Sequence, residues 1–189
     1  MGMWDMPARH YITDTELRFN PYHDPKNGRF TTAGGGSGGV NIGRSIEKSA
    51  KNFYSSSGEN GTIISDGYRI HRHSNINQVF KNSNSKTVEK VYSGVKLDFE
   101  KANRNGEVKE VALPSFNDMS KKSQKLASGK SMYDFGENQP LVSSQYLREA
   151  MLAVPNGKAY VKANDVLSPI YIKNDKGDEA IILPIRKRI

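Results

Sequence analysis

Apolar residues near the end of the chain recur at helical spacing. Leu147, Ala150, Met151 and Val154 lie at i, i+3, i+4 and i+7, which places them on one side of a helix. A serine pair precedes the run and can cap its first turn. A Pro-Asn-Gly tripeptide follows and cannot continue the helical hydrogen bonds. The pattern predicts a short amphipathic helix over residues 145–154.

Three segments after this helix have the pattern of strands. Residues 158–163 are short and mixed, residues 167–173 alternate, and residues 180–185 form an apolar run too short for a helix. An Asn-Asp-Lys-Gly turn at 174–177 predicts a hairpin between the last two. Because Pro169 lacks an amide donor, we expect its strand to lie at a sheet edge or to carry a bulge.

The middle of the chain predicts two hairpins. Residues 61–65 and 68–73 flank Asp66-Gly67, a strong turn signal. Residues 93–100 alternate apolar and charged positions and predict a strand, and residues 107–113 predict the strand that returns from it.

Other segments are less regular. Residues 40–55 carry apolar residues at helical spacing and predict a helix that ends at the following Ser-Ser-Ser-Gly. Residues 118–131 are polar and lysine-rich, so we expect a loop or a frayed helix. Residues 132–135 predict a strand. Together the patterns predict an α+β fold, an antiparallel sheet built from hairpins with two short helices.

The predicted organisation is one folded domain behind a loose segment. Residues 1–39 contain a proline-bounded turn region and a glycine-rich stretch, which predict a flexible N-terminal segment and linker. Residues 40–189 predict a single α+β domain.

Composition narrows the class of protein. The chain has 189 residues, no cysteine and only 35% hydrophobic residues. The lack of cysteine excludes disulfides and zinc–cysteine sites and agrees with a reducing cytoplasm. No apolar run approaches the length of a membrane span, so we expect a cytoplasmic protein without membrane contact. We expect neither a cofactor nor a bound metal.

The net charge of +8 comes mostly from residues 51–130. Such a surplus favours nucleic acid or an acidic protein face as a partner; a merely solubilising surface is the alternative. Lys101 and Arg104 add to this surplus. The candidate nucleic-acid-binding residues are Lys86, Lys90, Lys96, Lys121, Lys122, Lys125 and Lys130, with Arg186, Lys187 and Arg188 at the end of the chain.

Two histidines supply the leading candidate for catalysis. Arg69, His71 and His73 fall on the same face of a predicted strand, because strand side chains alternate. A histidine base beside an arginine could cleave phosphodiesters, and two histidines could bind a metal. Both need a further group from elsewhere in the fold. A basic edge strand with solvent-facing histidines is the simpler interpretation.

The end of the chain resembles the C-terminal domain of the bacterial DNA polymerase sliding clamp. The resemblance rests on Tyr146-Leu147, Ser168-Pro169-Ile170 and Leu183-Pro184-Ile185-Arg186, and it implies a clamp-like unit over about residues 132–189. A complete clamp subunit needs three such domains, so no ring is implied.

In that family the last strand helps form a cleft for partner peptides. The resemblance therefore implies a partner groove lined by Tyr171, Leu183, Pro184 and Ile185. Ordinary strand core is the alternative role for these residues.

A second resemblance lies near the start of the chain. Residues 19–31, Phe-Asn-Pro-Tyr-His-Asp-Pro-Lys-Asn-Gly-Arg-Phe-Thr, resemble a segment of phage and integrative-element proteins of Firmicutes. This provenance, with the basic charge, suggests a non-catalytic binder of a host nucleoprotein complex or nuclease, an inhibitor of host defence of the anti-CRISPR or anti-restriction type. The alternatives are a nuclease-type effector using His71 and His73 with Arg69, and a virion-associated structural protein. The oligomeric state stays open.

Overall fold

The computed structural model of the protein describes residues 43, 46–47, 50, 52–58, 61–74, 85–125 and 131–185. The helices that it describes without gaps are α1 (Ser85–Arg104), α2 (Phe116–Lys122) and α3 (Ser144–Ala153); residues 43, 46 and 47 are also helical. Its strands are β1 (Tyr54–Gly58), β2 (Gly61–Ser65), β3 (Arg69–His73), β4 (Val108–Val111), β5 (Gln124–Lys125), β6 (Ser131–Asp134), β7 (Leu141–Ser143), β8 (Lys158–Lys162), β9 (Ile170–Lys173) and β10 (Glu179–Ile182).

Most strands join one antiparallel sheet. Its seven strands have the order β1-β2-β3-β10-β9-β8-β4, and β5-β6-β7 form a small second sheet. The last strand of the chain thus pairs with β3, with Ala180 opposite His71. The predicted α+β class is confirmed. The predicted N-terminal segment 1–39 lies outside the described residues.

Helices cover both faces of the large sheet. On one face α1 packs through Tyr92 and Phe99 against Tyr171 and Ile181. On the other face α3 packs against alternate residues of the same strands, among them Ile172, Ala180 and Ile182. Because successive strand side chains point to opposite faces, one short apolar run in β10 serves both cores.

The hairpin around Asp66-Gly67 and the helix near the end of the chain are confirmed. β2 and β3 pair through that turn, where Gly67 takes a φ of 90°, a conformation that glycine adopts without a steric penalty. Helix α3 has Ser143 as its N-cap, and it lies on the β8-β9-β10 meander predicted to follow it.

The predicted strand over residues 93–100 is wrong. The segment is the second half of α1, and its buried positions Val88, Tyr92, Phe99 and Ala102 follow helical spacing. Leu97, which the alternating pattern placed inside, is 60% exposed. Alternation over so few residues is compatible with the two-residue period of a strand and with the 3.6-residue period of a helix. The longer helix accounts for more of the apolar residues.

Three further predictions are met in part or need correction. In the predicted helix over 40–55, residues 43, 46 and 47 are helical, but residues 54–58 form β1 because they pair with β2; much of the rest lies outside the described residues. Residues 116–122 form a capped helix with Met119 buried, which agrees with the helical alternative predicted for residues 118–131. The strand after Pro169 is internal, between β8 and β10, and the proline avoids the missing donor by lying just before it.

Candidate functional site

The histidine strand is buried in the middle of the large sheet. Arg69, His71 and His73 share one face of β3 as predicted, and they are 4%, 0% and 3% exposed. The expectation of a solvent-facing edge strand is wrong, because β10 pairs with the side of β3 that the hairpin leaves open.

His71 is surrounded by apolar strand neighbours. Ile64 lies opposite it on β2 and Ala180 on β10. Its ring is nearly parallel to that of His73, with centroids 6.4 Å apart. Burial lowers the pKa of His71 well below 6.5, and the positive charges of Arg69 and His73 act in the same direction. Its two ring nitrogens have no hydrogen-bond partner in the part of the chain that the structure describes. His71 is therefore neutral at pH 7.

His73 lies nearer the end of the sheet. Burial lowers its pKa, although the Asp178 carboxylate, 4.0 Å from Nδ1, opposes the shift.

Arg69 links the hairpin to α3. Its Nε donates to Asp66 at 3.0 Å, its guanidinium forms an ion pair with Glu149, and its Cζ lies 4.2 Å from the centre of the Tyr146 ring. Burial lowers the pKa of Arg69, and Asp66 and Tyr146 counter that effect. With charged partners on both elements, this arginine is a structural connection between β3 and the helix.

This geometry does not favour catalysis at the histidines. A general base must come within hydrogen-bond reach of a proton on its substrate, and the fully buried His71 cannot contact a nucleic acid. Nor do three or more His, Asp or Glu side chains converge to hold a metal within the described ranges.

The predicted basic residues are divided between two sides of the sheet. Lys86 and Lys90 are exposed on α1. Lys121 and Lys122 are exposed on α2, whose Met119 packs into the core on the opposite face. The Lys125 side chain, Lys130 and the Arg186, Lys187 and Arg188 cluster lie outside the described residues.

The outward side of α1 carries a row of positive charge. Lys86, Lys90, Lys101 and Arg104 are all exposed, and their spacings of four, eleven and three residues return to nearly the same side of a helix with 3.6 residues per turn. We call these four residues the α1 basic row. None of them forms an ion pair with a described acidic residue.

Lys96 belongs to a different cluster. It donates to Glu179 at 3.0 Å, the Tyr92 hydroxyl donates to the same carboxylate, and Arg72 lies 3.8 Å away. Burial raises the pKa of Tyr92 and of Tyr171, and the negative charge of Glu179 adds to both shifts. The cluster fixes α1 on β10 and so sets which side of the helix faces outward. Sequence patterns did not indicate this cluster, because Glu179 is a single acidic residue at the start of an apolar run.

The residues predicted to line a partner groove have separate surroundings. Tyr171 is buried beneath α1, with its ring centre 5.3 Å from that of Phe99. Pro184 and Ile185 are half-buried, and the Ile185 amide donates to the Leu141 carbonyl. Leu183 is half-buried and lines a pocket. These four side chains do not form one continuous groove.

That pocket lies between the first half of α1 and the sheet. It has a volume of about 240 Å³. Val88, Val91 and Val95 of α1 form one wall, and Ile70 and Ile181 of the sheet form another. Sequence patterns did not indicate this pocket, because the alternation over residues 93–100 predicts a strand where α1 lies.

No described helix is long and apolar enough to cross a membrane. No protein-family model, curated protein or solved structure matches this chain, so the sliding-clamp and mobile-element resemblances stay predictions.

Proposed function

We propose that the protein binds nucleic acid through the α1 basic row. It acts by covering the nucleic acid and not by cleaving it. The observation that carries the proposal is the row itself, with Lys86, Lys90, Lys101 and Arg104 exposed along one side of a 20-residue helix.

The length of the row suits a phosphate backbone. Eighteen residues separate Lys86 from Arg104, about 27 Å along the axis at 1.5 Å per residue. One strand of a duplex presents a phosphate roughly every 3.4 Å along its axis. A strand lying along α1 therefore meets about eight phosphates, enough to contact every cation in the row.

Acidic residues of α1 weaken this field only in part. Asp98 forms an ion pair with Lys162, and Glu89 accepts a hydrogen bond from Ser56. Glu100 is exposed at the edge of the row. The outward side therefore keeps a positive surplus that supports steering of a polyanion.

We extend the same proposal to a host nuclease as the partner. With the predicted mobile-element segment at residues 19–31, a basic binding face suits a protein that occupies the nucleic-acid channel of a host nuclease in the host cytoplasm. Retention of such a nuclease from host lysate by the tagged full chain, lost at high salt, supports this extension. Retention that is insensitive to salt contradicts it.

The binding proposal is tested with matched pairs of lysines. Lys86→Gln/Lys90→Gln and Lys121→Gln/Lys122→Gln remove the same charge from opposite sides of the sheet. In fluorescence anisotropy with a labelled oligonucleotide, the first pair should weaken binding about tenfold or more and the second by less than threefold. The reverse order, or no effect of either pair, contradicts the proposal.

A further inference from the structure

The pocket beneath α1 opens beside the basic row. Val91 lines the pocket and is still 49% exposed, so it lies at the opening. Lys90 is the preceding residue, and Thr87, another lining residue, follows Lys86. Lys86 and Lys90 are thus next to lining residues along the helix.

The interior has the chemistry of a planar, mostly apolar ligand. Besides the aliphatic walls, the lining includes Tyr54, Tyr68, Ser65 and Thr87. Tyr68 also packs against the core beneath α3, and the Ser65 hydroxyl donates to the Arg69 carbonyl. An apolar cavity of about 150 Å³ accommodates benzene. The volume of about 240 Å³ therefore has room for a heterocycle with exocyclic groups.

From these observations we propose that the pocket receives one unpaired nucleobase of a strand whose phosphates lie along the basic row. This inference rests on the proposed function and specifies its ligand as single-stranded nucleic acid. Bases stack on aromatic side chains regardless of their sequence. Tyr54 lines the pocket and lies in register with Ser65 and Ile70, on the side of the sheet that faces α1.

The same geometry discriminates against duplexes. A paired base is held inside the stack and must be extruded before it can enter a pocket, whereas an unpaired base enters at little cost. The basic row is available to both forms of nucleic acid, so duplex binding uses the row alone. A single strand uses the row and the pocket together.

Val91→Phe fills the mouth of the pocket without burying new surface in the core. Its matched control is Val166→Phe, since Val166 is also 49% exposed and does not line the pocket. With the full chain, Val91→Phe should weaken binding of a labelled oligothymidine about tenfold, the scale of one lost base–aromatic stack. Its affinity for a duplex should change less than twofold, and Val166→Phe should change neither. Equal effects of Val91→Phe on both ligands, or none on the single strand, overturn the inference.

The lysine variants distinguish a failure of the base-pocket inference from a failure of the proposed function. If Lys86→Gln/Lys90→Gln weakens both ligands while Val91→Phe weakens neither, the base pocket is wrong and the basic row stands. If the lysine change has no effect on either ligand, the proposed function fails and the inference fails with it.

A binding measurement on the unmodified protein decides between a base and a protein side chain. Methyl NMR should show shifts of Val91, Val95 and Leu183 with thymidine 5′-monophosphate and not with N-acetylphenylalaninamide. Shifts with the amide alone would assign the pocket to an apolar side chain of a protein partner and overturn the proposal.

Discussion

Glu149 of α3 forms an ion pair with Arg69 of β3, and both side chains are buried between the helix and the sheet. Asp66 holds the same guanidinium from the hairpin turn. Two carboxylates from separate elements thus converge on one buried cation, which ties the β2-β3 hairpin to α3.

Removing one carboxylate should therefore be costly. We expect Glu149→Ala to lower the free energy of unfolding by about 3 kcal/mol or more, because breaking a buried pair leaves an under-compensated charge. Urea unfolding of the variant and the parent measures the difference. Glu110→Ala is the control, since Glu110 pairs with Lys158 at the exposed surface and should cost less than about 1 kcal/mol. Similar losses for the two variants would contradict the structural role of the cluster.

His71 should make stability fall in acid. Its pKa is well below 6.5 in the folded protein and about 6.5 in the unfolded chain. Below about pH 6.5 the unfolded state therefore binds more protons than the folded state. The free energy of unfolding keeps the whole contribution of His71 above that pH, and it falls by up to about 1.4 kcal/mol per pH unit below it. We expect His71→Leu to remove about one proton from this dependence, measured by urea unfolding between pH 5 and 7.5. An unchanged slope would mean that His71 titrates normally and is accessible.

The bond from Tyr92 to Glu179 should hold α1 in place. Tyr92→Phe removes the hydroxyl and should lower the free energy of unfolding by about 1.5–3 kcal/mol, typical of a hydrogen bond to a charged group. Tyr160→Phe is the control, because Tyr160 is only partly buried and packs at the edge of the same core. Amide exchange in α1 should quicken in the first variant alone. Equal protection of the α1 amides in both variants would show that the bond to Glu179 does not hold α1 in place.

The helical identity of residues 93–100 gives a simple contrast. In a strand Leu97 and Phe99 would share a face, whereas in α1 Leu97 faces solvent and Phe99 is buried. Phe99→Ala should cost about 3–5 kcal/mol, as for other buried aromatic side chains. Leu97→Ala should cost less than about 0.5 kcal/mol, as for surface positions. Thermal unfolding of the two variants checks the difference, and comparable losses would favour the strand.

Elements with local signals could be predicted from the sequence. The turn at Asp66-Gly67 and helix α3 carry their own turn and capping residues, so neighbouring positions determine them. Within α1, Val95, Leu97 and Phe99 alternate with charged residues over a short window, and this pattern predicts a strand. The full spacing from Val88 to Ala102 resolves that ambiguity.

The candidate site depended on distant parts of the chain. His71 is buried because β10, from the far end of the chain, pairs beside it, and no local pattern contains that pairing. The individual lysines of the basic row could be identified from composition. Their separation from Lys121 and Lys122 required the packing of α1 and α2 on opposite faces of the sheet.

The salt dependence of nucleic-acid binding tests the central claim most directly. Each phosphate contact contributes about 0.7–0.9 to the slope of log affinity against log salt. Changing all four residues of the α1 basic row to glutamine should therefore reduce the magnitude of that slope by about 3. A slope that stays within about 0.5 of the parent value would show that the phosphates lie elsewhere on the protein.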